Sequence, residues 1–366
     1  MMLRSREVKG SHFSYPVELH EDFQGLRERL TSLPKVSSII IITNRKIAGI
    51  YEKYIVKELR DSAIPFHILY TKEGEKNKHI DRVKKIYHEL IKLDIDRKAV
   101  LVAFGGGVVG DFVGFIAATY QRGVRFVQVP TSLLASVDSS VGGKVAVNLD
   151  MGKNMVGAFH QPEFVFAPIF TLSTLPKKEW SCGLAEITKH AFLDAGPLLT
   201  LLEKAKRSDF QPKSSALLDS IDESVRIKSL VVGQDERETG LRAILNLGHT
   251  TGHAIESLTK YKKYSHGEAV SIGIMTALLL SRELLHFPEA SLQRAIRVMK
   301  ALELPLQIKE NPEDILKHMF HDKKREGNQL KFVLLEDFGK PKFGITVGRD
   351  QILKTLLLQK GMKELG

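Results

Sequence analysis

Two histidines, His249 and His253, stand four residues apart in the segment "LNLGHTTGHAIE". An α-helix repeats every ~3.6 residues, so residues four apart lie on the same face. Two imidazoles on one face can bind a metal ion, bind an anion, or divide these two roles between them. The spacing therefore indicates a candidate site.

Further candidate metal ligands occur on two other predicted helices. Glu186 lies in "GLAEITKHAF" among apolar residues, where a carboxylate is costly unless it is paired or binds a metal. His266 begins the apolar stretch "HGEAVSIG". With His249 they form a Glu-His-His set, which is typical of zinc sites that keep a position open for substrate. On residue chemistry alone, the alternatives left open are Glu256 and Glu268 as the carboxylate, and His160 and His190 as an imidazole.

A glycine-rich turn follows the predicted strand "VLVAF" and precedes a predicted helix. Gly105, Gly107 and Gly110 have the spacing G-x-G-x-x-G, which allows backbone N–H groups to approach a pyrophosphate at a helix N-terminus. Asp111 follows at once, whereas the usual ribose-binding acid comes about 20 residues later. The turn therefore resembles a dinucleotide site without matching the standard fingerprint.

A second candidate for the nucleotide site is "KEGEKNK", with Glu75 and Lys78. A loop acid can bridge ribose hydroxyls and a lysine can reach a phosphate, although this segment by itself is typical of a surface turn. Several basic and amide residues lie in other segments rich in small residues, which suits recognition of phosphate or carboxylate. They are Arg122, Lys144, Lys153, Asn154, Arg242, Asn246, His253, Lys323, Lys324 and Arg325, and the acidic residue Asp138 lies in the same segment as Lys144.

Composition narrows the class of protein. The chain has 366 residues, a formal net charge of +11 and one cysteine, Cys182, so an intrachain disulfide is impossible and a reducing compartment fits best. No signal sequence and no apolar run of about 18 residues is present, and we expect a cytoplasmic protein without membrane contact. Basic residues are spread along the chain without a nucleic-acid motif, which favours a small anionic ligand over nucleic acid.

The apolar pattern predicts two domains. Strands predicted at 37–43, 65–71, 98–104 and 124–131 alternate with helices, which indicates a mostly parallel sheet. Helical periodicity then dominates, and a hairpin is predicted at 330–347. We expect a Rossmann-like α/β domain over residues 1–170 and a mostly α-helical domain over residues 171–366.

Several motifs in the same order resemble the 3-dehydroquinate synthase family of sugar-phosphate cyclases. The resemblance extends from about Ile40 to Phe343. It is carried by "GGGVVGDFVGFIAATYQRGVRFVQVPTSLLASVDSSVGGKVAVN", "GKNMVGAFHQP", "GLAEITKHAF", "DERETGLRAILNLGHTTGHAIE", "HGEAVSIG" and "DKKREGNQLKFVLL".

This resemblance implies an enzyme that binds NAD in its N-terminal domain and zinc, or cobalt as an alternative, in its helical domain. The implied reaction converts 3-deoxy-D-arabino-heptulosonate 7-phosphate to 3-dehydroquinate and phosphate, and a homodimer is expected.

The implied zinc ligands are Glu186, His249 and His266. The implied phosphate-binding residues are Arg122, Lys144, Asn154, His253 and Lys324. The implied carboxylate- and hydroxyl-binding residues are Asp138, Lys189, Lys228, Arg242 and Asn246. The implied cofactor-binding residues are Glu75, Lys78, Gly106, Gly107, Asp111, Thr131, Ser132, Lys144 and Lys153.

Three other functions are considered. A metal-dependent polyol dehydrogenase shares the expected layout, but a neutral polyol requires no such set of cations. A sister cyclase would act on another sugar phosphate, and Lys228, Asn246 and the segment Asp322–Lys324 favour a substrate that carries a carboxylate. Nucleic-acid binding is suggested only by the isoelectric point near 9.4.

Overall fold

The computed structural model describes residues 1–322 and 329–363. The chain divides into two compact units, Met1–Leu175 and Pro176–Gly366. Among the described residues, no helix combines the length and hydropathy that a membrane crossing requires.

The N-terminal unit alternates strands and helices over most of its length. Its strands are β1 (Met2–Lys9), β2 (Ser14–His20), β3 (Ile39–Asn44), β4 (Phe66–Thr71), β5 (Val100–Gly105), β6 (Arg125–Pro130), β7 (Lys144–Leu149), β8 (Gly152–Phe159) and β9 (Val165–Pro168). Its helices are α1 (Leu26–Thr31), α2 (Arg45–Leu59), α3 (Ile80–Lys92) and α4 (Gly107–Thr119). One sheet has the order β1-β2-β9-β6-β5-β3-β4, in which only β1 is antiparallel to its neighbour.

The four isoleucines of β3 explain why this sheet is covered on both faces. Successive side chains of a strand point to opposite faces. Ile40 and Ile42 pack in an apolar cluster with α3 and α4, whereas Ile39 and Ile41 pack in a second cluster with α1 and α2. A continuous apolar strand is what two covered faces require, and the predicted Rossmann-like fold is confirmed.

A two-stranded hairpin of β7 and β8 packs on α4 and lies outside the predicted strands. A Cβ atom at Gly114 of α4 would overlap the side chain of Val145 of β7, so glycine is required where the two elements meet. The hairpin carries polar residues at many positions, including Lys144 and Asn154, and this is why its apolar alternation is weak in the sequence.

The C-terminal unit is mostly helical, as predicted. Its helices are α5 (Lys177–Asp194), α6 (Pro197–Lys204), α7 (Ser215–Gln234), α8 (His249–Leu258), α9 (His266–Leu285), α10 (Glu289–Ala301), α11 (Pro312–Asp322) and α12 (Arg349–Gly361). Strands β10 (Gln329–Leu335) and β11 (Pro341–Gly348) form the predicted hairpin. Helix α9 is buried along most of its length and packs against α5, α8 and α12.

Glycines allow α9 to approach its neighbours at backbone distance. A Cβ atom at Gly273 of α9 would overlap the carbonyl oxygen of Gly248, which precedes α8. A Cβ atom at Gly252 of α8 would lie 3.1 Å from the Cα atom of Val270, and one at Gly267 would overlap the backbone of Cys182 on α5. The three helices α5, α8 and α9 are therefore held together by contacts that larger residues would prevent.

We predict that Gly273→Ala will lower the free energy of unfolding by about 1–3 kcal/mol, because the added methyl group forces α8 and α9 apart. The control is Gly49→Ala. Gly49 lies in α2, and a Cβ atom there has no neighbour within 4 Å. This change should raise stability by up to about 1 kcal/mol, as expected for glycine replacement in a helix. Urea unfolding measures both, and equal stability of the two variants would contradict the packing model.

Candidate functional site

Several residues proposed to bind the cofactor follow the carboxyl ends of three parallel strands in the N-terminal unit. Glu75 and Lys78 follow β4, Gly106 and Gly107 follow β5, and Thr131 follows β6. The connections from β3 and β5 run over opposite faces of the sheet, and ligands of open α/β sheets bind at such a point. Gly106 immediately precedes α4 and has no side chain to cap it, which leaves the helix N-terminus suited to an anion.

The residues that pack around the glycine turn leave no room for a side chain at Gly106 or Gly107. A Cβ atom at Gly106 would lie 3.2 Å from Oγ of Ser132, and one at Gly107 would lie 2.8 Å from Oγ of Ser139. Thr131 and Ser132 are both buried beside this turn. The geometry fits a dinucleotide whose pyrophosphate approaches the main chain.

Lys78 is buried at the end of a segment whose other residues are exposed or half-buried, as a surface turn would have them. Its Nζ atom donates to Oδ2 of Asp111 at 2.8 Å and lies 3.6 Å from Oε1 of Glu75. Burial acts to lower the pKa of Lys78, but the carboxylates of Asp111 and Glu75 outweigh it and raise that pKa. The ammonium group therefore stays charged and orients two carboxylates that can accept ribose hydroxyls.

Asn148 belongs to the same hydrogen-bonded network, although no motif in the sequence includes it as a candidate. Its Nδ2 atom donates to Oε1 of Glu75 at 2.8 Å, and its Oδ1 atom accepts from the backbone N–H of Asn154 at 2.8 Å. Asn154 has a positive φ of 54°, so this hydrogen bond supports a left-handed backbone conformation. Asn148 thereby connects the cofactor segment to the hairpin of β7 and β8.

The other proposed residues of this unit are distributed over its loops and hairpin. Lys144 begins β7 and Lys153 lies on β8, and both are exposed. Arg122 is exposed after α4 with φ of 69°, and Asp138 is half-buried in the turn of π-helix Ala135–Ser139.

In the C-terminal unit, Glu186, His249 and His266 offer one ligand atom each within 4.8 Å of one another. Oε1 of Glu186 lies 3.7 Å from Nε2 of His249 and 3.6 Å from Nε2 of His266. Bonds of about 2.0–2.2 Å to a tetrahedral zinc ion place ligand atoms roughly 3.3–3.5 Å apart. Both the donor types and their spacing therefore fit a zinc or cobalt ion.

The second ring nitrogen of each histidine faces an oxygen acceptor. Nδ1 of His249 lies 3.3 Å from the carbonyl oxygen of Leu247, and Nδ1 of His266 lies 3.1 Å from Oε2 of Glu256. An acceptor at Nδ1 favours the tautomer in which Nε2 has a lone pair for the metal. The two rings are thus oriented for ligation by partners outside the ligand set.

The electrostatic environment differs between the two imidazoles. Burial lowers the pKa of His249 to about 3, against an opposing effect of the Glu186 carboxylate. Burial also acts to lower the pKa of His266, but hydrogen bonds with Glu186 and Glu256 outweigh it and raise that pKa to about 10. Two carboxylates that favour a proton on His266 also favour a divalent cation beside it.

The alternatives left open by the sequence have other roles in the structure. Glu268 caps α9, since its carboxylate accepts from the N–H and hydroxyl of Ser265 at 2.7 and 2.9 Å. Glu256 faces the outer nitrogen of His266. His160 belongs to the N-terminal unit, where its Nε2 atom lies 2.9 Å from the carbonyl oxygen of Val124. His190 is buried on α5 and belongs to none of the potential metal-binding groups among the described residues.

A cavity of about 560 Å³ adjoins the proposed metal ligand His249. It is lined by His249, His253 and Asn246, together with His318 and Lys331, which the sequence did not single out. The rings of His249 and His253 are 5.4 Å apart, so the four-residue spacing places both imidazoles at one cavity.

Three further proposed substrate residues of this unit are buried cations. Lys189 forms an ion pair with Glu186, Lys228 lies on α7, and Arg242 lies in a 3-10 turn before α8. Their side chains are at most 7% exposed. Lys324 lies outside the described residues, as do Lys323 and Arg325.

Asp235 holds the segment that carries Arg242. Its carboxylate accepts from the backbone N–H groups of Thr239, Gly240 and Arg242 at 2.8–3.0 Å. Hydrogen bonds from Arg242 and Thr239 lower the pKa of Asp235 to about 2. Asn246, at the end of the same segment, donates to Oε1 of Glu238 at 2.7 Å.

Comparisons with known proteins identify the relatives of this chain. Family models for 3-dehydroquinate synthase match residues 68–182 with the N-terminal part and residues 183–325 with the C-terminal part. The chain is 52% identical over 361 residues to the 3-dehydroquinate synthase of Leptospira interrogans serovar copenhageni, covering 99% of each chain.

Two solved structures are also similar. A 2-deoxy-scyllo-inosose synthase with carbaglucose-6-phosphate, NAD⁺ and Co²⁺ matches with a TM-score of 0.88 and 26% identity, over 97% of this chain and 100% of that one. A 2-epi-5-epi-valiolone synthase from Streptomyces hygroscopicus, with NAD⁺ and Zn²⁺, matches with a TM-score of 0.85 and 25% identity, over 95% and 97%.

We predict that the thiol of Cys182, one turn before Glu186, resists alkylation in the native protein. Burial raises the pKa of Cys182 from 9.0 to about 11, so its thiolate fraction at pH 8 should be roughly 100-fold lower than in the unfolded chain. Iodoacetamide labelling followed by mass spectrometry tests this, with labelling in urea as the control. Labelling should accelerate as the pH approaches 11, and equal native and unfolded rates at pH 8 would contradict burial of this helix face.

Proposed function

The chain belongs to the 3-dehydroquinate synthase family, and from this membership we propose that it converts 3-deoxy-D-arabino-heptulosonate 7-phosphate to 3-dehydroquinate and phosphate. The observation that carries the proposal is the convergence of Glu186, His249 and His266 in a chain that matches one of these enzymes over 99% of its length. Residues 1–170 form the NAD-binding domain, and residues 171–366 form the domain that binds the metal and the substrate.

The two cofactors would supply different chemistry. When bound, NAD supplies a reversible hydride acceptor, and a zinc or cobalt ion supplies a Lewis acid that acidifies a substrate hydroxyl. With both groups bound, the substrate would lose phosphate after a transient oxidation, be reduced again, open its ring and close the carbocycle in an intramolecular aldol step, with no net oxidation.

Residues of the C-terminal domain hold the metal and the carboxylate end of the substrate. Glu186, His249 and His266 are the metal ligands. Lys189, Lys228, Arg242 and Asn246 are assigned to the carboxylate and hydroxyl groups, and the family resemblance assigns the same role to Asp138. Cations held in defined positions match a fixed arrangement of anionic oxygens, and their side chains need little reorganisation during the reaction.

The phosphate end requires residues that tolerate charge build-up as phosphate departs. We assign this role to Arg122, Lys144, Asn154 and His253, and Lys324 is expected to join them. His253 lies one turn from the metal ligand His249, which would place the phosphate close to the metal-bound hydroxyls. Such proximity supports proton abstraction by the substrate's own phosphate, for which a separate protein base is then unnecessary.

The cofactor site is assigned to Glu75, Lys78, Gly106, Gly107, Asp111, Thr131, Ser132, Lys144 and Lys153. The buried ammonium of Lys78 contacts Glu75 and Asp111 and orients both carboxylates as acceptors for ribose hydroxyls. The main chain at Gly106 and Gly107 supplies N–H groups for the pyrophosphate.

We also propose a cytoplasmic homodimer. The single cysteine, Cys182, supports a reducing compartment. The dimer is inferred from the family resemblance, and sedimentation equilibrium is expected to give twice the chain mass of 41.0 kDa.

We predict that the purified protein releases phosphate from the heptulosonate phosphate, requires only catalytic amounts of NAD, and loses activity with a chelator. His249→Ala should lose bound metal and roughly 10³-fold or more in activity, since loss of a single electrostatic donor in an active site already costs about 10²–10³. The control is His88→Ala, at an exposed position on α3, which should retain both. Phosphate release and elemental analysis measure these outcomes.

Two results would favour the alternative functions. Net NADH formation from glycerol, with no phosphate release, would indicate a polyol dehydrogenase. Equal turnover of a sugar phosphate that lacks the carboxylate would indicate a sister cyclase. Unchanged zinc content in His249→Ala would contradict the ligand assignment.

A further inference from the structure

Glu256 is a buried carboxylate that the proposed reaction does not use. It lies on α8, seven residues after the ligand His249, so it is on nearly the same helix face two turns later. Its side chain is 9% exposed, and a carboxylate is rarely so buried without a positive or hydrogen-bonding partner. Oε2 of Glu256 lies 3.1 Å from Nδ1 of His266, the first residue of α9.

The two nitrogens of His266 face different carboxylates. Nε2 lies 3.6 Å from Oε1 of Glu186, within the proposed metal centre, whereas Nδ1 faces Glu256. The nitrogens of an imidazole point away from one another, so one ring position satisfies both contacts. Without an acceptor at Nδ1, the ring would rotate more freely and its neutral form would divide between two tautomers.

The close packing of α8 and α9 makes this contact possible. Gly252 lies between His249 and Glu256, and a Cβ atom there would lie 3.1 Å from the Cα atom of Val270. Helix α8 thus supplies one metal ligand directly and reaches a second ligand on α9 through Glu256. His249 has an equivalent arrangement, with the carbonyl oxygen of Leu247 at its Nδ1 atom.

We propose that Glu256 is a positioning residue that fixes the tautomer and ring orientation of His266 and thereby sets the affinity of the metal centre. This inference rests on the proposed function, because it requires a metal ion at Glu186, His249 and His266. Partners of this kind change metal affinity by about 10–100-fold when they are removed.

Glu256 also belongs to a second group of residues that could hold a metal ion. His253, Glu256 and His266 each offer a ligand atom within 4.8 Å of the others. A metal ion bound there would make Glu256 a ligand in a second site. The orientation of His266, with Nε2 towards Glu186, favours the positioning role, and the stoichiometry of binding separates the two.

The experiment compares zinc affinity in wild type, Glu256→Gln and Glu256→Ala by competition with a chromophoric chelator, starting from chelator-treated protein. We expect one zinc ion per chain, and a dissociation constant about 10–100-fold higher in Glu256→Gln and at least as high in Glu256→Ala. The cobalt-loaded variants should show altered visible absorption bands. Glu268→Gln is the matched control, because it removes a carboxylate of the first turn of α9 that touches no ligand, and its affinity should equal that of wild type.

Thermal unfolding with and without zinc separates positioning from a purely structural role. A structural role would lower the unfolding midpoint equally in both conditions and leave the dissociation constant unchanged, which would overturn the proposal. Two zinc ions per wild-type chain, falling to one in Glu256→Gln, would overturn it as well. Wild type that binds no zinc would instead reject the metal centre itself, and so the failure of the proposed function is distinguishable.

Discussion

The metal centre depends on one constraint, the backbone contact of α9 with its neighbouring helices. Its three proposed ligands come from positions 186, 249 and 266, on helices that must converge to within a few ångströms. Helices with ordinary side chains at the contact keep their axes about 8–10 Å apart. Glycine at 248, 252, 267 and 273 removes side chains at the contact points. The helices therefore come close enough for the ligand atoms to meet without long, flexible side chains. A site built on such elements is held rigidly before any ion binds.

Buried charge has a comparable role in the N-terminal unit. The ammonium of Lys78 is almost fully buried, which is tolerated because Asp111 and Glu75 compensate it. Asn148 extends this network to the hairpin of β7 and β8. The network connects a loop after β4, the first turn of α4 and the hairpin, elements that hydrophobic packing alone would position less specifically. The acceptors proposed for ribose therefore share one hydrogen-bonded frame.

Much of this structure follows from the sequence, because the strongest patterns are local. The strand predicted at 37–43 and the hairpin predicted at 330–347 agree with β3 and with the pair of β10 and β11 to within a few residues. The convergence of Glu186, His249 and His266 is a long-range property, and only the family resemblance suggested that set over Glu256 or Glu268. The roles of Asn148 and Asp235 could not be predicted, since an isolated polar residue has no sequence pattern that reveals the groups it will bind. The hairpin of β7 and β8 was not predicted because its polar residues interrupt the alternation of apolar and polar positions that marks a strand.

The charges of the C-terminal unit explain why its metal centre suits an anionic substrate. A divalent ion with one carboxylate and two neutral imidazoles has a net charge of +1, and the buried cation Lys189 lies on the same helix as Glu186. Lys228 and Arg242 add positive charge on α7, which packs against α5, and on the turn before α8. Several buried cations close to one another favour an additional anion beside them. A substrate with a carboxylate and a phosphate would supply such an anion, whereas a neutral polyol would not, so these cations favour the proposed substrate over that of the dehydrogenase alternative.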